Sequence, residues 1–287
     1  MKNYARLCSH LSLRLIILGT WHVIDPTKVA LFIPPGLQKF KLKLFERIGA
    51  TIGRTVRHDY NLLGRLPDDV IPITGCSPQL APLYKDWIAR KRTFIYWDRG
   101  YLRRVFATWL PRGADGGFYR WHINSFQLTE VRDYPDDRWR ALNIQSEVRP
   151  WRKGGRKIVI ADTLPDYWNV RGLPVDWSHK MLKYLKARTD RPIYIREKES
   201  TVSLFDDLKD AHCLVAHGSI AAVESVVMGC PVFVDQESAA SFVGRVGFDD
   251  VENPVYPDRS VWLRSLSYHQ WNESELCDGT LFKMLGS

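Results

Sequence analysis

The sequence predicts an α/β protein of two lobes, each a largely parallel sheet with helices around it, followed by a helical C-terminal tail. Short apolar runs with the length of buried strands alternate with segments whose apolar residues recur at helical spacing. Pro150 and the pair Gly154-Gly155 interrupt this alternation, because both residue types disfavour a helix or a strand. We therefore expect a first lobe at 1–147, a second lobe at 148–257 and a tail at 258–287.

The individual elements follow from the same pattern. In the first lobe, the sequence predicts strands at 28–33, 70–74 and 93–97 and helices at 37–48 and 80–92. In the second lobe, it predicts strands at 157–161, 192–196, 213–216 and 232–234, with helices at 178–188, 202–211 and 220–227. The tail at 260–285 has a helical pattern, and Asn272 with Glu275 resembles a capping box.

Composition restricts the class of protein. Of the 287 residues, 45% are hydrophobic and 12% aromatic, as in a folded globular protein rather than a disordered one. The five cysteines are widely spaced without a C-x-x-C pair, which indicates a reduced, cytoplasmic protein without a zinc site. The N-terminal apolar run LIILG is too short for a secretion signal, and no stretch approaches the length of a membrane span.

The net charge of +9 is concentrated in the first lobe. Residues 1–147 carry 23 Lys and Arg against 13 Asp and Glu, whereas residues 148–287 carry 18 against 19. A basic lobe attracts anions, so we expect an anionic partner for the first lobe. Compositional drift along the chain is the alternative explanation.

Residues 211–234 carry the most specific motif of the chain. The apolar run that ends at Ala216 leads into the turn His217-Gly218-Ser219, and a helical pattern begins directly after Ser219, a favourable N-cap. The free backbone N–H groups of a helix N-terminus form a site for phosphate. Glu224 follows one turn later, close enough to accept hydrogen bonds from a sugar or ribose. An ordinary strand–helix–strand unit of an α/β protein is the alternative interpretation.

This stretch, with its small-residue turn, helix, glutamate and Gly-x-Pro-Val, resembles the donor half of GT-B glycosyltransferases, which consist of two Rossmann-like lobes. The resemblance covers the segment from about 157 to 235, and within the superfamily it is to capsule-polysaccharide and related bacterial or phage transferases. It implies that Gly218 and Ser219 contact the phosphates of a nucleotide-sugar donor and that Glu224 contacts the ribose, with no other cofactor. The short elements at 98–101 and 120–124 resemble those of phage-encoded relatives of such enzymes.

Two basic residues extend the predicted donor site. Arg196 and Lys198 come just after a predicted strand, at the end where open α/β sheets bind ligands. Both would neutralise a diphosphate leaving group. A solvated loop is the alternative, since Glu197 and Glu199 alternate with them. The chain has no D-x-D pair, which disfavours metal-dependent transfer, and we expect no metal ligands.

The first lobe contains the predicted catalytic base. Inverting sugar transfer requires a base that takes the proton of the acceptor hydroxyl, and the resemblance implies a base in the first lobe. Asp98, which follows a predicted strand, is the first choice, and His122 is the second. The alternative for Asp98 is structural: it caps a turn or pairs with Arg99 or Arg103.

Residues 84–104 combine seven Lys and Arg with six aromatic residues. This pattern suits a nucleic acid, with cations for phosphates and rings for unstacked bases. The alternative is a buried aromatic strand beside an ordinary basic helix face. The predicted acceptor contacts are Arg92, Arg99, Tyr101, Arg103 and Arg104.

The sequence therefore predicts a metal-independent, inverting glycosyltransferase that moves a sugar from a nucleotide-sugar donor to an acidic acceptor. DNA with hydroxymethylated bases is the preferred acceptor, and an anionic surface glycan is the second. Two other functions stay open: a catalytically inactive, nucleic-acid-binding protein that kept the fold, and another chemistry of nucleotide sugars such as epimerisation or phosphorolysis.

Overall fold

A computed structural model describes residues 24–32, 39–52, 64–75, 80–103, 117–198 and 200–285 of the chain. These residues form two five-stranded sheets, one in each lobe. A 3-10 turn at Pro26–Lys28 precedes the first strand, and a second one at Gln145–Glu147 lies in the connection between the lobes.

The first sheet has the strand order β1-β2-β3-β4-β10. Its strands are β1 (Val29–Leu31), β2 (Ile71–Thr74), β3 (Ile95–Arg99), β4 (Phe118–Ile123) and β10 (Gln270–Asn272). The first three strands are parallel, whereas β4 runs antiparallel to both β3 and β10. Where β3 ends, a Cβ on Gly100 would lie 2.8 Å from the carbonyl oxygen of Phe118, so this close approach requires glycine.

Different helices cover the two faces of the first sheet. Helix α1 (Lys39–Ile52) packs its apolar residues on the face to which Ile95 points. Helix α2 (Ala81–Ala89) packs Tyr84 and Trp87 on the opposite face, together with Tyr96. This division follows from the alternation of side chains along a strand, which sends neighbours to opposite faces.

The second sheet is parallel throughout, in the order β6-β5-β7-β8-β9. Its strands are β5 (Lys157–Ala161), β6 (Ile193–Arg196), β7 (Ala211–Ala216), β8 (Val232–Val234) and β9 (Arg245–Val246). All six residues of β7 are buried, which explains why all of them except His212 are apolar or small.

Between residues 130 and 230, the helices of the described residues are short. They are α3 (Asp137–Ala141), α4 (Pro165–Arg171), α5 (Trp177–Lys186), α6 (Leu204–Asp207) and α7 (Ile220–Val227). The prediction of a helix over 202–211 was wrong in extent. The Ser203 side chain accepts a hydrogen bond from the Asp206 N–H and caps a single turn, because β7 already begins at Ala211.

The C-terminal segment returns to the first lobe. It contains α8 (Ser260–Tyr268), β10, α9 (Glu273–Cys277) and α10 (Thr280–Leu285). The prediction of a helical tail was wrong at 270–272, where the chain pairs with β4 as a strand. The predicted capping box of Asn272 and Glu275 was correct.

The two lobes share a buried apolar cluster. Tyr101 and Leu128 from the first lobe belong to it, as do Val223 of α7 and Trp262 of α8. Gln270 adds a polar anchor, since its side-chain oxygen accepts hydrogen bonds from the N–H groups of Tyr101 and Leu102 at 2.9 and 2.8 Å. No helix within the described ranges is long and apolar enough to cross a bilayer.

Candidate functional site

The candidate site lies at one edge of the second sheet. In a parallel sheet the carboxyl ends of all strands meet at the same edge, which is where such sheets bind ligands. His217 follows β7 and Asp235 follows β8, and the two strands are neighbours. The N–H of Asp235 donates to the carbonyl oxygen of His217 at 3.3 Å, so the ladder continues one residue beyond the strands.

The turn between β7 and α7 forms the centre of this edge. Ser219 has extended backbone angles, and its hydroxyl accepts a hydrogen bond from the Ala221 N–H at 3.2 Å, as an N-cap does. Gly218 is buried, and a Cβ at this position would lie 2.4 Å from the hydroxyl oxygen of Tyr167. The turn therefore requires glycine at 218 because Tyr167 approaches it, not because of its backbone angles.

Tyr167 also fixes the imidazole of His217. The Tyr167 hydroxyl is hydrogen-bonded to His217 Nδ1 at 3.0 Å, and the rings of Trp168 and Trp177 meet the imidazole nearly perpendicularly. Burial lowers the pKa of His217 to about 4; Asp235 opposes this shift and Arg171 adds to it. The imidazole is therefore neutral at neutral pH.

The first lobe contacts this turn directly. The side-chain amide of Gln127 donates a hydrogen bond to the carbonyl oxygen of Gly218 at 2.9 Å. Arg171, in the last turn of α4, lies 4.8 Å above the ring of Phe126 and forms an ion pair with Glu237. The candidate site is consequently built from both lobes.

The predicted donor residues are not all at the surface of this edge. Arg196 ends β6, and its guanidinium is paired with Asp207 at 2.7 Å, whereas Lys198 is exposed two residues later. Glu224 is only 3% exposed and belongs to the buried part of α7. A ribose at the surface would therefore reach Gly218 and Ser219 before it reached Glu224.

Asp98, the first choice for the base, lies within β3 rather than in a turn. Its carboxylate accepts hydrogen bonds from Arg120 at 2.9 Å, from the Tyr96 hydroxyl at 3.0 Å and from the Arg99 N–H at 2.7 Å. Desolvation opposes ionisation of Asp98, but Arg120 and these hydrogen bonds outweigh it and lower the pKa. The lowered pKa makes Asp98 an ionised but weak base at neutral pH. Its side chain is 43% exposed, so solvent reaches it.

His122, the second choice, is enclosed. The Tyr101 hydroxyl accepts a hydrogen bond from the Leu128 N–H at 2.7 Å and is also hydrogen-bonded to His122 Nε2 at 2.8 Å. Burial, with smaller contributions from His269 and Arg120, lowers the pKa of His122 well below its ordinary value. His122 is only 6% exposed and its Nε2 is bonded to Tyr101, so an acceptor substrate would not reach it in this structure.

Of the predicted acceptor contacts, some are buried and others are exposed. Tyr101 is fully buried and Arg92 is 7% exposed, so neither offers a surface to a nucleic acid; the prediction failed to separate core aromatics from exposed ones. Arg103 donates to the carbonyl oxygen of Leu142, while Arg99 is exposed. Arg104 lies outside the described residues.

A cavity of about 350 Å³ lies in the first lobe, at the edge of the sheet where the parallel strands β2 and β3 begin. Charged side chains from 68–69 and 90–92 line it. Salt bridges join Asp68 to Arg90 and Arg92, so the cavity wall is largely self-neutralising. Within the described part of the chain, no cluster of three or more His, Cys, Asp or Glu side chains could hold a metal ion.

Sequence reasoning missed four residues of the site: His217, Asp235, Tyr167 and Gln127. The first two had a usable signal, because each directly follows a predicted strand of a parallel sheet. Tyr167 and Gln127 had none, since they lie 50 and 91 residues from their partners in the turn.

No protein-family model and no curated protein matches the chain. Among solved structures, the Thermosulfurimonas dismutans KpsC beta Kdo 2,7 transferase is similar, with a TM-score of 0.50 and 9% identity over 90% of this chain and 98% of that chain. The beta Kdo 2,4 transferase of the same organism's KpsC has a TM-score of 0.49 and 12% identity, over 88% and 94% of the two chains. The likeness to the 2,7 transferase extends over both lobes and concerns the fold alone. This chain therefore shares its fold with that beta Kdo 2,7 transferase.

Proposed function

We propose that this protein is a glycosyltransferase that moves a sugar from a nucleotide-sugar donor to an acidic glycan. The observation that carries the proposal is the two-lobe likeness to the KpsC beta Kdo 2,7 transferase, which covers 90% of this chain. The turn at 217–219, where the lobes meet, supplies a place for the reaction.

The donor phosphates would bind at the N-terminus of α7. The positive end of the helix dipole favours an anion there, and the phosphate would compete with Ser219, whose hydroxyl accepts from the Ala221 N–H and whose carbonyl accepts from the Ala222 N–H. Lys198 is exposed at the same edge of the sheet. It follows β6, and β5 lies between β6 and β7. Arg196 would join these groups by exchanging its Asp207 partner for a phosphate. The charge on the leaving nucleotide would be stabilised by these groups as it develops.

We assign the acceptor to the first lobe and transfer to the inverting class. Asp98 is the proposed base: it is ionised, 43% exposed and placed at the end of β3. Its lowered pKa keeps it able to accept a proton at acidic pH, although it reduces the driving force for proton transfer. His122 is too deeply buried for this role.

Charge and burial favour a glycan over DNA as the acceptor. The first lobe has an excess of basic residues, which suits any anionic polymer. The case for nucleic acid depended on basic and aromatic residues acting together, and Tyr101 and Arg92 are buried. Within the described residues of the first lobe no aromatic side chain is strongly exposed, and cations alone suit the carboxylates of an acidic sugar chain better than they suit unstacked bases.

The first test is binding of nucleotides. We expect one of UDP, GDP, CMP, ADP and dTDP to raise the melting temperature of the wild-type protein, since a ligand at 100 times its Kd stabilises the folded state by about 2.7 kcal/mol. Lys198→Ala should weaken this shift. Lys186→Ala is the matched control, because Lys186 is an exposed lysine in the last turn of α5.

Two results would count against the proposal. The first is a wild-type protein whose melting temperature no nucleotide changes. The second is a nucleotide shift that Lys198→Ala and Lys186→Ala reduce equally, because binding would then follow total charge rather than the edge beside α7.

A further inference from the structure

The polar pair His217 and Asp235 was not part of the predicted donor site. Both residues extend from neighbouring strands at the candidate edge, and His217 lies two residues before Ser219, the N-cap of α7. The pair is therefore next to the proposed phosphate position. Gln127 of the first lobe donates to the carbonyl oxygen of Gly218, between His217 and Ser219, so the backbone of this turn touches the first lobe.

The orientation of His217 is fixed. Tyr167 is bonded to Nδ1 at 3.0 Å, and Trp168 and Trp177 enclose the ring, with centroids 5.8 and 6.0 Å from the imidazole. Only 10% of the side chain is exposed. Rotation of the ring would break the Tyr167 bond inside an apolar enclosure, which is costly.

The other ring nitrogen has no hydrogen bond with any residue in the described ranges. The nearest carboxylate oxygen to Nε2 is Asp235 Oδ2, at 4.0 Å, which is too long for a direct hydrogen bond. The other Asp235 oxygen already accepts from the Glu237 N–H at 3.0 Å. An oxygen atom placed about 2.8 Å from both Nε2 and Oδ2 would bridge this gap.

The chemistry of the gap selects a hydroxyl. His217 is neutral at neutral pH, because burial lowers its pKa to about 4. The bond to Tyr167 allows the tautomer in which the hydroxyl donates to Nδ1 and the imidazole proton is on Nε2, facing the gap, and we adopt this tautomer. A hydroxyl would accept this proton and donate its own to the Asp235 carboxylate. A phosphate or carboxylate oxygen would instead be repelled by Asp235.

We propose that His217 and Asp235 bind a hydroxyl group of the sugar that is transferred. This inference rests on the proposed function, since it takes the donor phosphates to lie at α7. We assign the sugar rather than the ribose to the pair, because the turn that carries His217 touches the first lobe through Gln127 and the transferred sugar has to lie near the acceptor lobe.

The test compares each of the five nucleotides with a sugar-bearing form: UDP with UDP-glucose, GDP with GDP-mannose, CMP with CMP-N-acetylneuraminic acid, ADP with ADP-glucose and dTDP with dTDP-glucose. Calorimetry measures the Kd of both members for the wild-type protein, Asp235→Ala and His217→Asn. Asp235 is 30% exposed, so its variant should fold even if His217→Asn does not. His179→Asn and Asp190→Asn, two exposed positions elsewhere in the lobe, are matched controls.

We expect Asp235→Ala to weaken binding of the nucleotide sugar about tenfold or more while the Kd of the bare nucleotide stays within a factor of about two. Equal losses for both ligands would overturn the inference, because the pair would then hold the nucleotide. Unchanged affinity for the nucleotide sugar would overturn it as well. A wild-type protein that binds neither ligand would refute the proposed function itself, and the inference with it.

Discussion

The side-chain amide of Gln127 donates a hydrogen bond to the carbonyl oxygen of Gly218 at 2.9 Å, and this bond joins the first lobe to the turn that begins α7. Gln127 is 6% exposed, so the bond is formed away from water. A buried carbonyl without a donor is unfavourable, so separating the lobes at this point has an energetic cost. The turn and the first lobe should therefore move together.

Gln127→Leu should destabilise the protein by about 1–3 kcal/mol, because it leaves the Gly218 carbonyl without this donor in a buried position. Urea unfolding measures the change. Gln145→Leu is the control: Gln145 is exposed and donates to the Trp139 carbonyl, so its loss should be smaller. Equal losses for the two variants would contradict the importance of the contact between the lobes.

Gly218→Ala should cost about 1–3 kcal/mol of stability, because the new methyl group would lie 2.4 Å from the Tyr167 hydroxyl oxygen. Tyr167→Phe in the same chain removes that oxygen and should recover most of the loss. A double-mutant cycle in thermal unfolding measures the coupling. Additive effects of the two substitutions would show that the hydroxyl is not what excludes a side chain at 218.

Asp98→Asn should change the dependence of stability on acid. The pKa of Asp98 is lowered in the folded protein, so its carboxylate contributes stability above its unfolded pKa of 3.8, and this contribution is lost as the pH falls through the lower folded value. The variant should lose less stability than the wild type over that acidic range. Unfolding by urea at a series of pH values measures both slopes, and identical slopes would contradict the ion pair with Arg120.

His217→Asn should flatten a different part of the pH profile. Burial lowers the folded pKa of His217 from 6.5 to about 4, so the unfolded chain takes up a proton first as the pH falls below 6.5. The wild type should lose up to about 3 kcal/mol between these pH values through this group alone.

His122, His212 and His269 also have lowered pKa values and remain in the His217→Asn variant, so the slope should decrease without vanishing. A variant of Tyr167, Tyr167→Phe, should leave most of the slope in place, because burial is the main cause of the shift. An unchanged profile in His217→Asn would contradict a buried neutral imidazole at this position.

The second lobe was the more predictable part of the fold. Its apolar runs at 213–216 and 232–234 lie in fully buried strands. Ser219 and Gly229 mark the ends of α7, so local pattern and tertiary structure agree there. The tail was less predictable, because 270–272 becomes a strand only through pairing with β4, about 150 residues earlier in the chain. Local propensity contains no information about such a partner.

The candidate site was predictable where it depended on strand ends. Ser219 as an N-cap was correctly identified from the turn and helix pattern. Asp98 was expected in a turn, with Arg99 or Arg103 as its structural partners; it lies in β3 and pairs with Arg120, which is opposite it in β4. The register of an antiparallel pair decides that partner, and sequence spacing does not reveal the register.

The insertion of β10 beside β4 has a consequence for the order in which the protein forms during synthesis. The second sheet has all of its strands between residues 157 and 246, so this sheet can pair before the C-terminal segment has been made. The first lobe, although translated earlier, must wait for 270–272. Until then β4 is an open edge with unpaired backbone groups, and a nascent chain in this state is prone to pair with other strands.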